Sequence, residues 1–194
     1  MRSSESREKR KSEILDEVEN MSAGIPQNLV VISAHEYYKN SLDFDFEEII
    51  GAYAASSGIV LDDKSKKNIA EENVRIQKFI IVSAKAKQVE IEYKDKTDKI
   101  TLVKKKIEVK NDSFDSFIEV IPKEIAESST EIVFVNKYRV IKEDPIFEIK
   151  LEDLEKSSII YYIKRIVDTK EIEKTTTFSF KENFPAAKIS GISG

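Results

Sequence analysis

From about Lys85 onward, apolar residues recur with a period of two. Val89, Ile91 and Tyr93 alternate with Glu90 and Glu92, as a strand with one wet face requires. Asp95-Lys96-Thr97-Asp98 is a polar hairpin turn. Beyond it Ile100 and Leu102 lie in one phase, while Val103, Lys105, Ile107 and Val109 lie in the other. That phase slip predicts a β-bulge near Val103. Residues 111–115 read as a further turn. Strands are predicted at Phe117–Ile121, Ile132–Val135, Ile146–Leu151 and Ile159–Val167, with a last one at Thr176–Phe180. Short strands alternating with turns in this way point to an antiparallel β-sandwich. Pro122 has no N–H for a ladder, so the strand from Phe117 should stop there. The chain to Ser129 should then cross between sheets as a turn or a single helical turn. Pro145 fits a strand start for the same reason.

Upstream the pattern is different. Leu29-Val30-Val31-Ile32 follows Pro26 and predicts a short strand. Asp45 can cap a helix, with Glu48 at the capping-box spacing. Ile49, Ile50, Tyr53 and Ala54 make its apolar face, and Gly58 stands where a C′ glycine belongs. Asp62 or Asp63 opens a second helix over roughly Lys64–Asn73, with Ile69 facing inward. Val74–Val82 reads as a helix passing into a strand. Four segments result: a flexible charged arm (1–23), a small mainly helical region (24–84), an antiparallel sandwich (85–184) and a flexible tail (185–194). The fold class predicted is α+β.

Composition narrows the chemistry. The 32 basic residues are interspersed with 36 acidic ones, and the net charge is −4. Nucleic-acid binding needs uncompensated basic charge on one face, so no nucleic-acid partner is expected. There is no cysteine. Disulfides, thiolate nucleophiles and Cys-based metal sites are excluded together. The one histidine, His35, rules out a multi-histidine metal site. No apolar run approaches the ~18–20 residues that span a bilayer. The segment from Met1 to Asn20 has charges and no apolar core, unlike a secretory signal.

Glu119-Val120-Ile121-Pro122-Lys123, Ile125-Ala126, Ser128, Ile132 with Phe134, Asp144-Pro145, and Ile160 with Tyr162 together resemble a segment of immunoglobulin-like domains from archaeal cell-envelope proteins. The strands over Val89–Val109 look like the pair that precedes it, so the resemblance covers about residues 85–184. It implies a non-catalytic immunoglobulin-like sandwich outside the membrane, serving as stalk, spacer or adhesion module. It carries no functional residues with it. Where such domains commonly place a larger aromatic after the Asp-Pro step, this chain has Phe147, a smaller ring for the same core position. The tail Ala186–Gly194 reads as a linker toward a membrane anchor outside this chain.

Four clusters have residue types that could do chemistry, and each has a simpler reading. Ser33 and His35 share a strand face, yet no nucleophile elbow or oxyanion signature accompanies them. Asp43, Asp45, Glu47 and Glu48, with Asp62 and Asp63, supply oxygens without the spacing of a calcium loop; helix capping explains them. Glu92-Tyr93-Lys94 and Glu148-Ile149-Lys150 match the Glu-x-Lys element of a nuclease core, but such triplets recur by chance in a Glu- and Lys-rich chain. Asn20-Met21-Ser22 and Asn111-Asp112-Ser113 are glycosylation sequons. In Tyr37-Tyr38 and in Tyr161-Tyr162, one ring should face the core and the other the surface. No catalytic, cofactor-binding or metal-binding residue is assigned, and no cofactor is expected. The expectation is a non-enzymatic structural or protein-interaction module of a cell-surface protein. Its protein partner would be reached through sandwich loops or an edge strand, and a membrane only through an anchor. Two alternatives stay open: a cytosolic adaptor using Arg2, Arg7, Lys9, Arg10 and Lys11 of the arm, and, less favoured, a metal-dependent hydrolase or nuclease.

Overall fold

The computed structural model describes residues 24–39, 46–110 and 114–182. They form an α+β protein with nine antiparallel strands and two α-helices. The strands are β1 (Asn28–Lys39), β2 (Ile80–Glu92), β3 (Thr97–Val109), β4 (Ser116–Val120), β5 (Ile132–Phe134), β6 (Arg139–Lys142), β7 (Ile146–Lys150), β8 (Ser158–Ile163) and β9 (Thr176–Phe180). The helices are α1 (Phe46–Ser56) and α2 (Asp63–Ile76). One sheet runs β1-β2-β3-β8-β5, the other β6-β7-β4-β9.

Two apolar cores hold three layers together. The larger joins the sheets: Val82, Ala86, Val103, Ile159 and Tyr161 from the first pack with Phe117, Phe147 and Ile149 from the second. The smaller joins the second sheet to the helices, with Ile49, Ile50 and Ile69 set against Ile118, Ile146 and Phe178. Phe46 meets Phe178 edge-on at 4.9 Å between ring centroids. Each such side chain contributes roughly 1.5–3 kcal/mol on burial. The second sheet is therefore the middle layer, and every residue of β9 is buried. Phe147 is fully buried, in the core position expected after the Asp-Pro step.

Local signals explain the helix ends. The Asp62 side chain accepts from the Ser65 backbone N–H at 2.7 Å, capping α2. Hydrogen bonds from the Ser65 N–H and from its side chain hold the Asp62 carboxyl below its ordinary range. Gly58 sits at φ +69 after α1; its N–H donates to Ala55 C=O and the Ile59 N–H to Ala54 C=O. Asp45, the expected cap of α1, lies outside the described residues. After α2 a short 3₁₀ turn, Gln77–Phe79, leads directly into β2, as the helix-into-strand reading anticipates. Pro122 likewise ends β4, and Ile125 and Ala126 N–H groups both donate to its carbonyl in one helical turn.

Four sequence expectations change. The bulge near Val103 does not exist, because β3 pairs continuously with β2 from Ile80↔Val109 to Glu92↔Thr97. Its inward phase is simply Thr101, Val103, Lys105 and Ile107, while Ile100 and Leu102 face outward. The bulge lies instead in β1, between Val31 and Ser33. That strand is also far longer than the run Leu29–Ile32. Residues 24–84 contribute to two layers, since β1 joins the first sheet while α1 and α2 cover the second. The boundary expected at 84/85 falls inside β2. Finally, β6 was not anticipated.

The two sheets interlock. Strand β3 pairs with β8 in one sheet, and the strands that follow each of them, β4 and β9, pair in the other. At their centre Lys105 (β3), Glu119 (β4), Tyr161 (β8) and Thr177 (β9) each supply one polar group. Lys105 Nζ lies 2.5 Å from Glu119 Oε1 and donates to Thr177 Oγ1 at 2.9 Å. The Tyr161 hydroxyl donates to the same Glu119 oxygen at 3.0 Å. Desolvation lowers the Lys105 pKa and raises that of Tyr161. A buried pair of this kind specifies which strands meet more than it adds net stability.

Candidate functional site: a bare sheet face and a polar cleft

Of the four broad sheet faces, one has no cover among the described residues. Cross-strand register places Val31, Val89 and Ile100 in one row on the outer face of the first sheet, and Lys87, Leu102, Tyr162 and Val133 in the next. None of these residues belongs to the two core clusters; Val89 is nevertheless buried at 3% exposed, and Ile100, Leu102, Tyr162 and Val133 are half-buried. Beside them Lys85 stands directly opposite Lys104, with Lys106 one step further along. Lys85 pairs with Glu36 on β1, and Lys106 with Glu108 at 3.2 Å. Among the described residues neither Lys87 nor Lys104 has an ion-pair partner. The face thus joins an apolar band to a block of lysines.

Its edge is open as well. Strand β1 is twelve residues long and, among the described residues, pairs with no strand on its outer side. Leu29, Val30, Val31 and Ile32 on it are 41–60% exposed. Tyr38 is 82% exposed, while Tyr37 is buried and donates to the Ile172 carbonyl at 2.9 Å. In the second sheet one edge, β6, is only four residues long, and the other is covered. The outer side of β9 is closed by two buried amides of the helical layer. Gln77 accepts from the Ser179 N–H at 2.9 Å and donates to its C=O at 2.7 Å. Asn73 accepts from the Lys181 N–H at 2.9 Å. These side chains satisfy the edge backbone as a neighbouring strand would.

The second feature is a cleft of about 350 Å³ beyond the C-terminal end of α1, where helical cover of the middle sheet stops. Glu148 on β7 is buried at its wall. Arg139 Nε donates to Glu148 Oε2 at 2.8 Å, Arg139 Nη1 to Ser57 Oγ at 3.2 Å, and the guanidinium lies over the Tyr53 ring at 4.6 Å. The Tyr53 hydroxyl contacts Glu148 Oε1 at 2.9 Å and also a Glu182 oxygen. Burial, reinforced by the two carboxylates, pushes the Tyr53 phenol pKa upward. Lys150, two residues from Glu148, lines the same cleft.

The sequence candidates are distributed as follows. Ser33 Oγ donates to Gln88 at 2.9 Å and His35 pairs with Glu173, so the two have separate partners. Glu92 accepts from Asn28 at 3.1 Å. Glu148 and Lys150 do share a site, but Arg139 and Tyr53 occupy Glu148. Glu47 and Glu48 lie in the first turn of α1, and Asp63 pairs with Lys66 at 3.6 Å. Among the described residues no cluster of three or more His, Cys, Asp or Glu is arranged to hold a metal ion. Asp43, Asp45, both sequons and the basic arm lie outside the described residues. Sequence reasoning missed Arg139 and Glu182, and it read Tyr53 as plain core. A long-range pairing of β6 with β7 and with α1 brings them together, and no local spacing signals that.

Comparison with protein-family models, with curated proteins and with solved structures finds no match.

Proposed function

We propose that this chain is a non-enzymatic interaction module of a cell-envelope protein, an immunoglobulin-like sandwich that holds a partner polypeptide on the outer face and free edge of its first sheet. The observation that carries the reading is the unequal cover of the two sheets. Helices and amides close the second sheet, while the first keeps a long open edge, four exposed apolar residues in a row and an adjoining apolar face. Natural sheets rarely leave such an edge unguarded without a partner. The immunoglobulin-like part rests on the interlock: β3 with β8 and β4 with β9 correspond to strands B with E and C with F of that architecture. The envelope location rests on the sequence resemblance. The lysine block gives the partner's character, an extended segment with apolar residues beside acidic ones.

A photo-crosslinking amino acid at Val30 or Leu102, used in the native host, tests the reading. The captured polypeptide should form a complex with the purified chain that weakens with salt. Lys85→Glu combined with Lys104→Glu should lower its affinity at least ~10-fold. An equal crosslink from Val60, which is 97% exposed on the opposite layer, would argue against a specific surface. So would a complex indifferent to the charge reversals.

A further inference from the structure

The polar cleft beside α1 has unmet hydrogen-bonding demands on both sides of the charge balance. Among the described residues two buried atoms lack a hydrogen-bond partner, Arg139 Nη2 and Ser116 Oγ. Arg139 lines the cleft. Ser116, itself only 1% exposed, lines an adjoining hollow of about 590 Å³ that shares Glu148, Lys150 and Glu182 with it. Leaving a buried polar group unpaired costs about 1–3 kcal/mol, so each favours a bound group in the hollow that it borders.

The charges define that group. Arg139 is paired with Glu148 at 2.8 Å, and Lys137 lies 3.9 Å from Asp153. Lys150 and Glu182 remain at the solvent-exposed rim, with no ion pair among the described residues. Tyr53 adds an acceptor surplus. Its hydroxyl has one proton and contacts carboxylate oxygens of both Glu148 and Glu182, so it can donate to only one of them at a time. A ligand that satisfies the site brings an acceptor for Arg139 Nη2 and Lys150, and a charged donor for Glu182. A simple anion would meet the carboxylates, and a simple cation would meet Lys150 and the guanidinium. Ile59 and the Tyr138 ring complete the lining and favour an apolar substituent.

We infer that the cleft binds a small zwitterion, an α-amino acid with an apolar side chain, its carboxylate on Arg139 and Lys150 and its ammonium on Glu182. The volume matches a site for a ligand of that size. Binding there is independent of the sheet face assigned to the protein partner, so either reading can fail alone.

Calorimetric titration of the full chain with L-leucine and L-phenylalanine tests this, with the N-acetyl and carboxamide forms of each as blocked analogues. At least one free amino acid should bind one-to-one, and blocking either charge should weaken it by ~10-fold or more. Arg139→Gln should cause a loss of similar size. Lys150→Gln changes an exposed side chain that lines the cleft and should weaken binding about 5-fold. If Arg139→Gln does not fold, Lys150→Gln and the blocked ligands still decide. Absence of saturable binding by both amino acids up to ~10 mM would overturn the inference. Equal binding of free and blocked forms would do so too.

Discussion

The two sheets of this protein have had their outward faces treated in opposite ways. On the second sheet, Ile118, Ile146 and Phe178 lie beneath α1 and α2, and the β9 backbone is closed by Asn73 and Gln77. On the first, Val31, Ile100 and Leu102 lie outside both cores, and β1 has an open edge. Both faces carry β-branched and aromatic residues, so composition does not separate them. Connectivity does. The helical pair leaves the end of β1, crosses to the far side of the second sheet and returns to begin β2 next to β1. Apolar residues on a sheet face report that something covers them; here one cover lies within the chain, and for the other we propose a partner.

Truncating each face should expose the difference most strongly. Phe178→Ala, beneath the helices, should cost about 3–5 kcal/mol, whereas Leu29→Ala on the bare side should cost less than ~0.5 kcal/mol. Urea unfolding of the isolated chain measures both, and comparable losses would show that the bare face is covered after all. A smaller effect, about 1.4 kcal/mol per pH unit for each group, comes from Tyr37, Tyr53 and Tyr161. Burial raises all three above the ordinary phenol range. Between the unfolded value near 10 and the higher folded value, the unfolded chain has lost protons that the folded one keeps. Stability therefore falls as pH rises past about 10. Lys105, lowered by burial, acts in the opposite direction until its unfolded value near 10.5 is passed, so the decline should steepen there. Unfolding midpoints at pH 9, 10 and 11, alongside the phenolate absorbance, would check it; a flat profile would contradict the burial. The smallest effect concerns the bare face. Lys104→Glu converts the Lys85↔Lys104 repulsion into an attraction and should raise stability by roughly 0.2–1 kcal/mol while impairing partner binding. A loss of stability would mean that Lys104 already has a structural role.

Much of the architecture can be read from the chain, because its signals are local. Gly58 and Asp62 mark helix ends through backbone geometry and one hydrogen bond, and Pro122 marks a strand end through a missing donor. Each tyrosine pair splits into one core and one surface ring, as strand alternation demands. What escapes is set by residues distant in sequence. The seeming slip at Val103 arose because Ile100 and Leu102 are apolar on an outward face, so hydrophobicity there reports a surface rather than the core. The seven residues after Ile32 hide the rest of β1, since His35 and Lys39 point at polar groups near Glu173. Strand β6 is four residues long and offers only Ile141 to a core. In the cleft, Glu148 and Lys150 were visible as an alternating pair, but Arg139 and Glu182 gain meaning only through Tyr53.

The interlock of β3, β4, β8 and β9 also governs the order of events as the chain is made. Lys105 and Glu119 leave the ribosome well before Tyr161 and Thr177, the groups that complete their hydrogen bonding. Until β8 and β9 follow, neither central pairing can close, and the phenylalanines of β4 and β7 have no full enclosure. Folding of the sandwich thus awaits the last described strand, with loop closures over dozens of residues that favour slow, all-or-none assembly. A nascent chain of this kind spends its synthesis with its future interior in view, and chaperones would meet it before any partner does.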